Sequence, residues 1–84
     1  MFSADRIQAI LQDALPECTA VVSDDANDGE HFSARVVSSA FVGVGLVRQH
    51  QLVYEALGDH MRHDIHALAL KTFTPDRWKS SQGA

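Results

Sequence analysis

Five histidines in an 84-residue chain are its most unusual chemical feature. His60, His63 and His66 recur every third residue around Asp59 and Asp64, a donor set that could hold zinc. That spacing straddles the expected end of a helix and start of a strand, so the three rings would not share a face. His60 and His63 are read instead as solvated histidines at a turn. His50 falls beside Val53 and Tyr54 on an apolar helical stripe, which points to a partly buried, hydrogen-bonded packing role. His31 and His66 differ, because each begins a predicted strand and one end of a sheet could gather them. Imidazole can replace thiolate on one iron of a 2Fe-2S cluster. The remaining ligands would have to be thiolates, and the chain has a single cysteine, Cys18, so a partner would have to supply them.

Other chemistry has weaker support. One cysteine excludes an internal disulfide framework, a Cys-x-x-Cys redox site and a four-cysteine metal site. Cys18 has no sequence cue for an activating base and is read as structural; no catalytic constellation emerges, and the protein is not expected to be an enzyme. Gly43-Val44-Gly45 lacks the rest of a dinucleotide fingerprint and a Walker lysine, so it is read as a turn. Arg48, Lys71, Arg77 and Lys79, with Trp78 as an aromatic neighbour, are the candidates for touching nucleic acid. The formal charge of −4 reads these four bases as a solvated face. Residues 1–42 carry two bases against seven acids (net −5), and residues 43–84 five against four (net +1), so any polyanion contact would use the second half.

The elements that must position these residues follow from periodicity. Ser3 is a plausible N-cap, and Ile7, Ile10, Leu11 and Leu15 recur at helical spacing until Pro16, which predicts a first helix over about 4–15. The β-branched run Thr19-Ala20-Val21-Val22 predicts a strand from Cys18 to Ser23, and His31 to Val37 a second, pairing as an antiparallel hairpin. Phe32, Ala34 and Val36 should face the core, with His31, Ser33, Arg35 and Val37 on the opposite face. A second helix is expected over about 46–61, its stripe traced by positions 46, 50, 53, 54, 57 and 61, with Gly58 a weak point or an early end. Ile65 to Phe73 reads as a third strand, and Thr74-Pro75 opens a last helix. Two strands joined through a helix normally lie parallel, so His31 and His66 should meet at one end of a three-stranded mixed sheet with helices on one face. The alternation leaves the face of His66 open, because both sets of residues in the third strand are apolar.

The length allows one core, placed over residues 1–79, with Ser80 to Ala84 as a loose tail. Apolar residues at 45% and charged ones at 21% fit a globular α/β (α+β) domain of order α-β-β-α-β-α. The apolar runs are far shorter than the roughly 20 residues that span a bilayer, and Met1 to Arg6 lacks a signal pattern, so no membrane association and a cytoplasmic location are expected.

Taken in order, Asp28-Gly29-Glu30-His31-Phe32, Val36-Val37-Ser38, Phe41-x-Gly43, Leu46 through Tyr54, Ile65-His66-Ala67-Leu68 and Lys71-Thr72-x-Thr74-Pro75-x-x-Trp78 resemble the BolA family across about residues 3–79. The resemblance implies a class II KH-like fold and association with monothiol glutaredoxins, both without metal and around a glutathione-dependent bridging 2Fe-2S cluster. It maps one cluster ligand onto His66. The second ligand in that family comes from the loop between the first two strands; residues 24–31 hold no cysteine, so His31 is the candidate, in the manner of the histidine-loop branch. No cluster is expected in the isolated chain, which should be a monomer or weak homodimer. Val42, Gly43, Val44, Gly45 and Leu46 are the expected docking surface for glutaredoxin, an apolar turn beside the histidines. BolA-like proteins are also described as DNA-binding transcriptional regulators, which implies a second reading through the helix-turn-helix face. Against it, a nucleic-acid KH module usually shows Gly-x-x-Gly with basic residues, whereas Gly43-Val44-Gly45 is shorter and has apolar neighbours.

Overall fold

Ser3 opens the first helix, its hydroxyl accepting the Arg6 N–H at 3.1 Å in a computed structural model that describes residues 2–82. The helix, α1 (Ala4–Ala14), buries Ile7 and Leu11 on one stripe and stops where Leu15 turns extended ahead of Pro16. Strands β1 (Thr19–Asp24) and β2 (His31–Val37) form the antiparallel hairpin, with Thr19 opposite Val37 and Asp24 opposite Phe32. A 3-10 turn (Ser39–Phe41) leads to α2 (Leu46–Leu57), and a single turn, α3 (His60–His63), precedes β3 (Ala67–Phe73) and α4 (Pro75–Gln82). The sheet order is β1-β2-β3, and β3 runs parallel to β2 with His31 in register with Ala67. The expected order of elements and the parallel crossover are therefore present, with α3 an added turn.

The core lies between the sheet and α1 and α2. Phe32, Ala34 and Val36 from β2 meet Ile7 and Leu11 from α1 and Val53 and Leu57 from α2, all essentially inaccessible to water. The opposite face carries Val21, Ser33, Arg35, Ala69 and Lys71, and among the described residues no helix covers its middle. At its far end α4 departs from the one-sided arrangement. The Trp78 ring meets Phe73 edge-on at 5.1 Å, and Phe73 is in register with Val37, which is buried despite its place on the outward set. Ser80 and Ser81, expected in a loose tail, continue α4, with the Ser81 hydroxyl donating to the Trp78 carbonyl. Gly83 and Ala84 of that tail lie outside the described residues.

α2 corrects the expected stripe. The helix ends at Leu57, where Gly58 takes φ +56 and its N–H closes on the Tyr54 carbonyl, so Met61 belongs to α3. Its inward residues are Gln49, Val53 and Leu57, whereas Leu46 and Tyr54 turn outward. A polar residue leads the buried stripe because its amide is satisfied there. Gln49 Nε2 donates to the Val44 carbonyl at 2.7 Å and reaches the Phe41 carbonyl at 3.5 Å, while Oε1 accepts from the buried Thr72 hydroxyl at 2.6 Å. One amide thus ties the turn before α2 to the end of β3. Ser38, fully buried, does similar work by donating to the Pro16 carbonyl and accepting from the Ala40 N–H.

Candidate functional site: a histidine pair at one end of the sheet

The loop between β1 and β2 is held by its own carboxylates. Asp24 accepts the N–H groups of Asp28 and Gly29, at 3.2 and 2.9 Å, and Asp25 accepts the hydroxyls of Ser23 and Ser33. Asn27 and Gly29 take positive φ, which lets the chain reverse within this frame. β2 therefore begins at a defined point, with His31 exposed on its outward face. On the other side of the crossover, the Glu30 carbonyl accepts the N–H groups of both His66 and Ala67 at 3.0 Å. The ladder starts at Ala67, so His66 precedes the strand and escapes its alternation. Ile65 is buried, His66 is exposed, and the His66 ring meets the His31 ring edge-on with centroids 5.0 Å apart.

Asp28 was not singled out in the sequence, although it lies three residues before His31. Its Oδ1 accepts the N–H groups of Glu30 and His31 at 2.9 and 3.1 Å, and its Oδ2 lies 2.8 Å from His31 Nδ1. The Glu30 N–H, then the His31 ring, hold the Asp28 carboxyl down at about 2, below its ordinary 3.8. A carboxylate can only accept, so Nδ1 carries a proton, and in the neutral ring Nε2 then keeps its lone pair. Glu30 is close as well: one donor atom each from Asp28, Glu30 and His31 fall within 4.8 Å of one another. Among the described residues, the His66 ring has no hydrogen-bond partner.

The other histidines do not join this pair. His60 stacks on Phe2 at 4.8 Å and donates from Nδ1 to Asp64 at 2.6 Å, while His63 is exposed at the end of α3, bordering a shallow cleft with Asp28 and Glu30. His50 is half-buried, but its expected hydrogen bond is not found among the described residues. Cys18 sits beside Thr19, which pairs with Val37 at the opposite end of β2, roughly 20 Å from His31 at about 3.3 Å per residue. Burial pushes its thiol above the ordinary value, as suits a packing residue.

The same register corrects the placement of the apolar turn. Val42 and Leu46 are exposed, at 63% and 59%, and Val47 more so at 74%, but the turn follows Val37 and is tied through Gln49 to Thr72. It therefore lies at the end of the sheet remote from His31 and His66, not beside them. Gly43 takes φ +73 there and Gly45 caps α2. Of the candidate nucleic-acid cations, Lys71 and Arg77 share the outward sheet face at its α4 end, whereas Arg48 lies on α2. Arg48 on α2 pairs with Glu55 at 2.7 Å, Lys71 stands on the open sheet face, Arg77 covers the Phe73 ring and Lys79 belongs to α4.

Comparison with known proteins places this geometry in a family. The family model for BolA-like protein matches residues 7–77. A Haemophilus influenzae protein named DNA-binding transcriptional regulator BolA is 44% identical over 50 residues, 60% of this chain and 48% of that protein. An Arabidopsis thaliana protein named SufE-like protein 1, chloroplastic/mitochondrial, is 44% identical over 57 residues, 67% of this chain but 15% of its own length. The chain thus spans about half of the first relative and a small part of the second. The solved structure of a BolA protein homologue from Coxiella burnetii superposes with a TM-score of 0.82 at 40% identity, covering 94% of this chain and 99% of that one. Since the fold, the order of its segments and the family match coincide over nearly the whole chain, the protein belongs to the BolA-like family.

Proposed function

We propose that this chain is a partner of a monothiol glutaredoxin, lending His66 and His31 as imidazole ligands to a 2Fe-2S cluster whose thiolates come from the glutaredoxin and glutathione. Such a cluster, when bound, supplies one-electron redox chemistry and transferable iron, which suits iron-sulfur trafficking or iron and redox regulation. The observation that carries the reading is the pair of exposed rings with centroids 5.0 Å apart, one of them oriented by a carboxylate. The donor set fits a shared site and not a self-contained one, because the chain's only thiol sits at the other end of β2. Val42, Gly43, Val44, Gly45 and Leu46, joined by Val47, form a candidate docking surface. A partner touching both this turn and the histidines would lie along α2, whose twelve residues span roughly 18 Å at about 1.5 Å each. Anaerobic assembly with a monothiol glutaredoxin and glutathione should produce a visible circular dichroism spectrum distinct from that of the glutaredoxin alone. An unchanged spectrum and no complex on gel filtration would end this reading.

A second reading is kept open by the relative named a DNA-binding transcriptional regulator. Arg48, Lys71, Arg77 and Lys79 would carry it, but Arg48 is already paired with Glu55 and the chain carries a formal charge of −4. Direct binding should therefore be weak, and a gel shift should vanish by about 150 mM salt. A sequence-preferring shift that survives that salt would favour DNA.

A further inference from the structure

We propose that Asp28 is a positioning residue that holds His31 with Nδ1 protonated and Nε2 facing outward as the only nitrogen able to ligate. The inference rests on the reading of His31 as a ligand, but its structural half stands on the free chain. Three bonds converge on this one carboxylate. Oδ1 accepts the Glu30 and His31 N–H groups, which fixes the backbone from which the ring projects. Oδ2 meets the ring itself at 2.8 Å, which fixes both its rotation and its proton. Metal-binding histidines commonly donate their second N–H to a carboxylate, which orients the ring and makes the ligating nitrogen a better donor. His66 has no such partner among the described residues, so the two rings are unequal: His31 is pre-oriented, whereas His66 can turn. The site thus offers one fixed and one adjustable imidazole.

Asp28→Asn separates this role from a merely structural one. The asparagine Oδ1 can still accept the two backbone N–H groups, so the loop keeps its turn, but an amide NH2 then faces His31 Nδ1 and can only donate to it. The ring proton should move to Nε2, removing the outward lone pair. Long-range imidazole 1H–15N correlation spectra of the free protein at one alkaline pH read this directly. The expected result is a His31 with Nδ1–H in the native chain and Nε2–H in D28N, with the amide fingerprint otherwise preserved. In anaerobic assembly with glutaredoxin and glutathione, D28N should hold cluster about 10-fold less tightly or more, with an altered visible spectrum.

A native His31 protonated on Nε2 overturns the proposal without any variant. A D28N chain whose His31 tautomer does not move overturns it too, as does full and spectroscopically unchanged cluster loading by D28N. If the native chain forms no cluster complex, the glutaredoxin reading fails, while the tautomer measurement still decides what Asp28 does to His31.

Discussion

His66→Ala should abolish or visibly alter the circular dichroism of the complex assembled anaerobically with a monothiol glutaredoxin and glutathione, while leaving the domain folded. The reason for the separation is where the side chain stands. His66 is exposed, precedes β3, and anchors to Glu30 through its backbone N–H, which alanine retains. An exposed substitution of this kind changes stability by about 0.5 kcal/mol or less. Loss of a ligand is a larger event: removing even an outer-shell partner of a metal site typically costs about 10-fold to 100-fold in affinity, and a direct ligand should cost at least that. His31→Ala should act in the same direction, and a double variant should retain no imidazole contribution. Cys18→Ser is the control. Its thiol is at the opposite end of the sheet, so its cluster spectrum should match that of the native chain. A native-like spectrum in His66→Ala would remove His66 from the ligand set, and a change in Cys18→Ser would show that the complex does not use this face.

Gln49→Leu should produce a large loss of stability by an unrelated route. Gln49 is 8% exposed, and its amide satisfies the Thr72 hydroxyl and the Val44 carbonyl, with a longer contact to the Phe41 carbonyl. Leucine fills a similar volume but leaves these groups without their partner. A buried polar group so abandoned costs about 1–3 kcal/mol, and a total of about 2–4 kcal/mol is expected for this site. The whole domain should be stable by about 4–13 kcal/mol, on typical values per residue, so the loss is a substantial share and should be plain in urea unfolding. Thr72→Val alone should cost less. The double variant Gln49→Leu/Thr72→Val should be more stable than the sum of the two single losses implies, because the hydroxyl left unpaired by the first change is gone in the second. Strict additivity would mean that the two side chains do not share a bond. The Val44 carbonyl is one of the partners, so Gln49→Leu should also loosen the apolar turn before α2.

These two residues mark different sides of what could be read before the fold was seen. The order of elements, the β1-β2 hairpin and the parallel approach of β3 follow from local patterns: a capped amphipathic helix, alternating Phe32, Ala34 and Val36, and a helix long enough to cross between strands. Once the crossover is parallel, His31 and His66 must come to the same end, so the pair is legible from periodicity and handedness. The family resemblance is legible on other grounds, in the residues themselves, since segments from Asp28-Gly29-Glu30-His31-Phe32 to Lys71-Thr72-x-Thr74-Pro75-x-x-Trp78 stand in order along the chain.

The tertiary structure decided the rest, because it turns on partners remote in sequence. Alternation leaves the face of His66 open, because both sets of the third strand are apolar, and the Glu30 carbonyl decides it by starting the ladder at Ala67 and leaving His66 outside. Helical periodicity favoured Leu46 and Tyr54 as inward residues, yet Thr72 and the Val44 carbonyl bring Gln49 into the core instead. The turn at Val42 to Leu46 reads as a neighbour of the histidines only while its distance along β2 is unknown; the register places a strand's length between them. Sequence by itself determined which segments form and which ends of the sheet they share, because those depend on local conformational preference and strand handedness. Only the folded chain could decide which polar groups are buried and satisfied, which way His66 faces and what holds His31, because each depends on a hydrogen bond whose partner the pattern does not name.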